Sequence, residues 1–396
     1  MPRHAGRSAA NYVRSFQVEV PTSQLLELRR RIAAMSLPTA EQVSDRSQGV
    51  QLATTRALAK YWLTRYDWRR FEKALRRFPQ YLTEIDGVDI HFLHVPSPHP
   101  GALPLIVTHG WPGSFVEMLD VIGPLTDPTR YGGRAAEAFH VVVPSIPGFG
   151  FSGQPTELGW DTGRVARAWA ELMHRLGYDR YVAQGGDVGA GITDAMGRQA
   201  PVGLAGIHMN LLRSALSAPV GPTDTDEERA AAAAILDFNT AGSGYRIEQT
   251  TRPQTIGYAL LDSPIALAAW MLDHDTDSYY KVAGAFRAAL PTGNLTRDQI
   301  LDNITLYWLT GTGASSARVY WESAHAVSGM TSPPVQVPVG FSAFPGEIFQ
   351  APKTWVQNVY PTLAYYNQPV RGGHFAAWEE PALFAAEIRA AFRALR

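Results

Sequence analysis

Asp187 is the centre of a G-x-D-x-G run, flanked by Gly185 and Gly189, directly after residues that read as a strand (Arg180 to Gln184) and directly before residues that read as a helix. A sharp strand-to-helix turn of this kind needs small neighbours, exposes its central side chain and aims the first amides of the helix at developing negative charge. Here the exposed group is a carboxylate, not a hydroxyl. The chain contains no G-x-S-x-G and no cysteine, so serine and thiol nucleophiles have no candidate. The plainer alternative is that Asp187 only caps the helix that follows it, a common use of aspartate.

Two distant residues bear on that choice. Glu347 follows the strand-like PVGFSAF, and His374 stands in the loop GGHFAA after the next strand signal. The chain order nucleophile, acid, base is that of α/β-hydrolases, in which a carboxylate orients the imidazole that acts as base. Each of the three is expected at the C-terminal end of a strand, where open α/β sheets place their sites, and that agreement favours chemistry over coincidence. A fourth element is HGWPG, His109 to Gly113, after the strand PLIVT, where Gly110 and Pro112 hold an unusual backbone course. The N–H of Trp111 and that of Val188, the residue after Asp187, form the expected oxyanion pair.

The elements that must position these residues follow from periodicity. From Ser23 to Ile32 and again from Leu58 to Leu75, apolar residues recur in a helix-like stripe. At Tyr81 the pattern turns to period two, with Val88, Ile90 and Phe92 alternating against Asp89 and His91, and a sheet begins. PLIVTHG and HVVVPSIPG read as buried strands, and Val165 to Leu176 reads as a helix. Strands alternating with helices predict a mostly parallel sheet with helices on both faces. Between Ser214 and about Val335 the alternation stops, and residues 230–234, SPIALAAWML from Ser263 and RDQILDNITLYWL from Arg297 predict helices. Strand character returns in VQVPVGFSAF and near LAYYNQ, and Pro381 to Leu395 reads as a closing amphipathic helix. The predicted class is α/β, an α/β-hydrolase fold with a helical cap inserted and a helical N-terminal extension. The expected division is residues 1–84 as an N-terminal segment wrapping the core, 85–213 as the first part of the core, 214–334 as the cap and 335–396 as the second part of the core.

Composition narrows the function classes. With 396 residues, 45% of them hydrophobic, and a net charge of -1, the chain can bury a large core and shows no electrostatic footprint for nucleic acid. No apolar run is long enough to span a bilayer, and the start, MPRHAGRSAANYVRSF, has no apolar stretch of the signal-peptide kind. A soluble, cytoplasmic protein without membrane anchor is therefore expected, and the lack of cysteine fits that compartment. No cofactor and no metal are called for. If the chain self-associates, a homodimer is the commonest outcome.

Taken together, YDWRRFEKALRRFPQYLTEIDGVDIHFLHV from Tyr66, HGWPGS, PSIPGFGFS, LGYDRYVAQGGDVGA, RPQTIGYALLDSPIALAAW and GGHFAAWEEP resemble, in order, the signatures of the microsomal-type epoxide hydrolase family, N-terminal domain included. The resemblance runs from about Phe16 to the C-terminus. It implies that Asp187 attacks an epoxide carbon to give an alkyl ester, that His374 with Glu347 activates water to hydrolyse it, and that the product is a vicinal diol. It also implies two lid tyrosines that protonate the departing oxygen; by local match these are Tyr320, in SSARVYWES, and Tyr245, with Tyr258 as the nearby alternative. His109, Pro112, Phe149 and Trp270 are the candidate pocket residues, and the aromatic residues point to an aromatic or bulky apolar epoxide. Detoxification and antibiotic biosynthesis are the roles the family suggests. The chain departs from the family pattern at Val188, commonly Trp, and at Arg76, commonly Asn.

Rival readings are weaker. Haloalkane dehalogenation uses the same Asp elbow but needs halide donors, and Val188 has no side-chain donor. Gly148, Gly150 and Gly153 satisfy G-x-G-x-x-G, but Pro144, Pro147 and Pro155 crowd the place where a phosphate-binding helix should start. His91 and His94, three residues apart on a strand, face opposite sides and are not expected to share a metal. A catalytically inactive binding protein on a hydrolase fold would be expected to lack at least one working residue.

Overall fold

The structure is a computed structural model that describes residues 12–290, 293–326 and 333–396. Residues 1–11, which carry most of the start on which the no-anchor expectation rests, lie outside the described residues, as do residues 291–292 and 327–332. Among the described residues no helix is long and apolar enough to cross a membrane.

Among the described residues nine strands make one sheet: β1 (Arg14–Phe16), β2 (Gln80–Ile85), β3 (Val88–Val95), β4 (Leu103–Thr108), β5 (Phe139–Pro144), β6 (Tyr181–Gly185), β7 (Leu204–Met209), β8 (Val339–Ser342) and β9 (Leu363–Asn367). Their order is β1-β2-β3-β5-β4-β6-β7-β8-β9. The first three pairings are antiparallel and every pairing from β5 to β9 is parallel. The centre is read directly from composition, because β4 (LPLIVT) and β6 (YVAQG) are nearly all buried, as strands covered on both faces must be.

The sheet begins earlier than period-two alternation indicated, since β1 pairs with β2 through Arg14 and Leu82. Three residues give too short a pattern to read. The stripe from Leu58 to Leu75 is not one helix. After α1 (Thr22–Ala33), α2 (Leu52–Thr64) ends, the chain turns, and α3 (Trp68–Leu75) starts at Asp67, whose carboxylate accepts the Arg69 amide. An Asp favours a cap over a helix interior, and it interrupts the stripe without altering its period. The strand expected in VQVPVGFSAF is confined to Val339–Ser342, and the closing helix stops at Ala391.

Four core helices follow α3 up to β9: α4 (Leu119–Thr126), α5 (Thr162–Arg175) and α6 (Asp187–Gln199) lie before the insertion, and α14 (Lys353–Val359) comes after it. The insertion carries α7 (Asp226–Asp237), α8 (Gly244–Thr251), α9 (Pro253–Asp262), α10 (Pro264–Leu272), α11 (Thr276–Ala288), α12 (Arg297–Thr310) and α13 (Gly313–His325). The chain closes with α15 (Ala376–Glu379) and α16 (Pro381–Ala391). After the glycine run at Gly148 to Gly153 the chain starts no helix until Thr162, so the run does not lead into a helix as a dinucleotide-binding loop does. His91 is buried between Ser145 and Gln80, and His94 meets Tyr178 instead, on opposite faces as expected.

The N-terminal segment is fastened both to itself and to the inserted helices. Tyr66 and Arg70 both donate to the buried Asp302 of α12, at 2.8 and 2.5 Å, and Arg46 donates to Asp273 at 2.8 Å. Within the segment, the Glu72 carboxylate accepts the Val20 amide and the Trp68 indole N–H, each at 2.9 Å, and is 5% exposed. Glu72→Ala should leave two buried donors unpaired, at a cost of about 1–3 kcal/mol each. A thermal midpoint equal to that of the unaltered protein would show that Glu72 does not hold this segment.

Candidate active site

Gly185 ends β6, and α6 begins two residues later at Asp187, whose φ is 49°, in the left-handed region that non-glycine residues rarely occupy. Such strain persists only where the surroundings over-determine it. The main constraint is the approach of α6 to β4: a Cβ on Gly189 would lie 2.2 Å from the Thr108 carbonyl oxygen. That contact is backbone to backbone, so no side-chain rotation relieves it. The HGWPG loop passes as closely on the other side, where a Cβ on Gly110 would lie 2.4 Å from Asp187 Oδ1.

Four C-terminal strand ends bring the expected residues together. After β4, the Trp111 N–H donates to Asp187 Oδ1 at 2.8 Å. After β8 and β9, His374 Nδ1 donates to Glu347 Oε1 at 2.5 Å, and His374 Nε2 lies 3.9 Å from Asp187 Oδ2. The Val188 amide belongs to the first turn of α6, where helix N–H groups have no intrahelical carbonyl. Tyr245 of α8 stacks on the Trp111 indole at 5.0 Å and 16°, and Tyr320 of α13 meets the same ring edge-on at 6.0 Å. The Tyr320 hydroxyl is buried with no hydrogen-bond partner among the described residues. Tyr258 is 69% exposed, whereas Tyr245 is 3% exposed.

The expected pocket residues divide. Pro112 forms the loop wall, and its carbonyl accepts from Asn303 at 2.7 Å. His109 is wholly buried, its Nδ1 facing the Gly110 carbonyl and its Nε2 accepting the Ile146 amide, so it braces the loop. Phe149 packs behind it at 5.4 Å. Trp270 is turned toward Gln249, which accepts its indole N–H at 3.0 Å, and is not among the groups gathered round Asp187.

Electrostatics sets the ionisation of the cluster. Burial works against the Asp187 charge, but His374, His274, Arg213 and the Trp111 amide outweigh it and hold the carboxyl below its ordinary range. Burial likewise opposes charge on His374, yet the Glu347 carboxylate overrides it and raises the imidazole to about 10. Burial, then the Asp187 charge, pushes Tyr245 and Tyr320 well above the ordinary phenol value, so both keep their protons. Glu117, buried behind the HGWPG loop, is pushed up to about 8, chiefly by burial. A cavity of about 20 Å³ is lined by Gly110, Glu117, Gly186, Asp187, Asn210 and His374, with room for about one water.

Several residues of this site escaped sequence reasoning. Asn303 and Tyr307, one helical turn apart on α12, hold the carbonyls of Pro112 and Gly113, the latter at 2.6 Å. A polar pair at i and i+4 inside an apolar helix was the available signal. His274 and Asp275 stand in the run DHDTD, which reads as a solvated turn, yet His274 packs 4.3 Å from His374, ring to ring. Among the described residues, Asp187, His274 and His374 are the one group of acidic or imidazole side chains spaced to hold a metal ion.

Comparison with known proteins agrees with this geometry. A family model of the epoxide hydrolase N terminus matches residues 13–118, and one of the alpha/beta hydrolase fold matches residues 104–230. The chain is 54% identical to a Stigmatella aurantiaca protein bearing an epoxide hydrolase name, covering 96% of this chain and 85% of that protein. It is 37% identical to epoxide hydrolase 1 of Sus scrofa, over 95% of this chain and 88% of that one. The structure of Aspergillus niger epoxide hydrolase superposes with a TM-score of 0.84 at 30% identity, covering 98% of both chains.

Gly189→Ala tests the contact that forms the turn. The clash with the Thr108 carbonyl should cost at least the roughly 3 kcal/mol at the upper end of ordinary overpacking. A variant that accumulates as folded protein and melts with the parent, followed by circular dichroism, would contradict it.

Proposed function

The chain belongs to the epoxide hydrolases of the α/β-hydrolase fold, and we propose that it opens its epoxide with Asp187 and clears the resulting ester with water activated by His374. The observation that carries this reading is the hydrogen-bonding of the Asp187 carboxylate. Oδ1 is held by the Trp111 amide, while Oδ2 faces the active-site cavity and His374. Oδ2 is thus the attacking atom. Its bond to an epoxide carbon forms as that carbon's bond to the ring oxygen breaks, and the oxygen takes a proton from Tyr245 or Tyr320. Phenols held neutral opposite an ionised carboxylate suit an alkoxide leaving group. A departing halide needs no such proton, which favours the epoxide over the haloalkane.

Alkylation turns Oδ1 into the ester carbonyl, already seated on the Trp111 amide with Val188 beside it, so the oxyanion donors need no rearrangement. It also removes the Asp187 charge that helps hold a proton on His374. That proton can then return to the phenolate left by ring opening, freeing Nε2 as base. Water in the cavity lined by Glu117, Asn210 and His374 adds to the Asp187 carboxyl carbon and passes its proton to His374. The bond from that carbon to Oδ2 breaks, and the diol leaves with the former aspartate oxygen and the proton from His374. Trp111, Tyr245, Tyr320 and Phe238 around this point suit an aromatic or bulky apolar epoxide. In the same reading residues 1–84 wrap the core, 214–334 form the cap that carries both phenols, and 85–213 with 335–396 form the core.

His374→Gln should consume about one equivalent of epoxide and stall, because uncatalysed water is too poor a nucleophile to clear the ester. Intact-protein mass spectrometry should find it heavier by the substrate mass, Glu347→Gln should accumulate the same species more weakly, and Asp187→Ala should show none. A His374→Gln protein that binds epoxide without gaining mass would mean attack by activated water and end the covalent scheme.

The two half-reactions should also differ in pH dependence. Asp187 is held below its usual range and both phenols above theirs, so single-turnover alkylation should be flat from about pH 6 to about pH 9. Ester hydrolysis needs His374 without its proton and should accelerate as pH rises through the same interval. Alkylation that falls with rising pH there would contradict the proposed proton inventory.

A further inference from the structure

The Asp187 cluster contains a second braced imidazole that this reaction does not use. His274 is 1% exposed; its Nδ1 lies 2.9 Å from Asp275 Oδ2, and its Nε2 is buried without a hydrogen-bond partner among the described residues. In the neutral ring the Asp275 carboxylate favours the tautomer with hydrogen on Nδ1, which leaves the Nε2 lone pair for a metal ion, so that ligation displaces any proton there. His374 repeats the pattern, with Glu347 on Nδ1 and Nε2 toward Asp187. One donor atom from each of Asp187, His274 and His374 lies within 4.8 Å of the other two. Histidines whose second nitrogen is held by a carboxylate are the usual surroundings of a bound zinc ion.

We propose that Asp187, His274 and His374 form a binding site for a divalent transition-metal ion such as Zn²⁺, and that an ion held there inhibits the enzyme by occupying the carboxylate. The inhibition rests on Asp187 being the nucleophile, whereas the site does not. Zinc bonds of about 2.1 Å put tetrahedral donors about 3.4 Å apart, so the 4.8 Å separation must close by up to about 1.4 Å. Binding therefore requires the Asp187 and His274 side chains to rotate toward the ion. Binding displaces any proton on His374, as metal ligation of imidazole does. The charges favour a cation, since Asp187, Glu347 and Asp275 face the site and Arg213 is the guanidinium near Asp187. Two imidazoles and one carboxylate select Zn²⁺, Ni²⁺ or Cu²⁺ over Mg²⁺ and Ca²⁺, which need oxygen-rich shells.

The test is calorimetric titration of the whole protein with ZnCl₂, beside epoxide turnover in the same buffers. The unaltered protein should bind about one Zn²⁺, lose diol formation as the site fills, and recover it with chelator, while MgCl₂ does neither. His274→Phe preserves the ring packed against Tyr245 and His374 but removes the donor, and should weaken zinc binding at least about tenfold; Asp275→Asn should weaken it about 10–100-fold through the lost brace. Absence of zinc binding by the unaltered protein, or binding undiminished in a folded His274→Phe variant, would overturn the site. Binding that depends on His274 while diol formation continues unchanged would uphold the site and strike instead at Asp187 as nucleophile. As a second readout, Co²⁺ should give ligand-field absorption of a four- or five-coordinate ion in the unaltered protein and not in His274→Phe.

Discussion

A carboxylate that attacks carbon must be ionised and poorly hydrated at once, and burial opposes the first condition while creating the second. Much of this site answers that conflict. His374, His274, Arg213 and the Trp111 amide together overcome the burial of Asp187. Glu117 is the control within the same molecule: it is buried against the same loop, its one backbone donor among the described residues is the Gly110 amide at 3.3 Å, and it is pushed up to about 8. Two carboxyls with similar burial are thus driven to opposite protonation by their neighbours, the separation that acid and base roles require.

Steric constraint, more than hydrogen bonding, keeps Asp187 where those neighbours can act. The left-handed turn is set by the approach of α6 to the end of β4, with Thr108 meeting Gly189. The same strand end leads into the HGWPG loop, so the element that forces the turn also delivers the amide that holds Oδ1. The position of Asp187 and the amide that holds its Oδ1 therefore both come from the parallel neighbours β4 and β6.

How much of this was legible in the sequence depended on whether a residue's role was local. The elbow, HGWPG, Glu347 and His374 could be read because each follows a buried apolar strand, and strand ends in such sheets converge. The Trp111 amide could be named because a backbone donor follows from the course of the loop, whatever the side chain. The break between α2 and α3 was missed because Asp67 interrupts the helical stripe without changing its period. His274, Asp275 and Asn303 were missed for a different reason: they lie in the insertion, whose path over the core leaves no periodic trace. The choice between Tyr245 and Tyr258 likewise needed coordinates, since either could face inward until the packing of α8 and α9 turned one toward Trp111 and the other to solvent.

Trp111 joins the two halves of the chemistry. Its backbone amide holds the nucleophilic carboxylate, and its indole is the platform for both phenols, one stacked and one edge-on. The loop that carries it is gripped from α12, where Asn303 and Tyr307 hold the carbonyls of Pro112 and Gly113. The same helix is tied on its outer side to Tyr66 and Arg70 through Asp302, the residue before Asn303. A continuous line of contacts runs from the N-terminal segment through α12 to the loop and so to Asp187. The N-terminal segment is thus tied through α12 to the loop whose Trp111 amide holds Asp187.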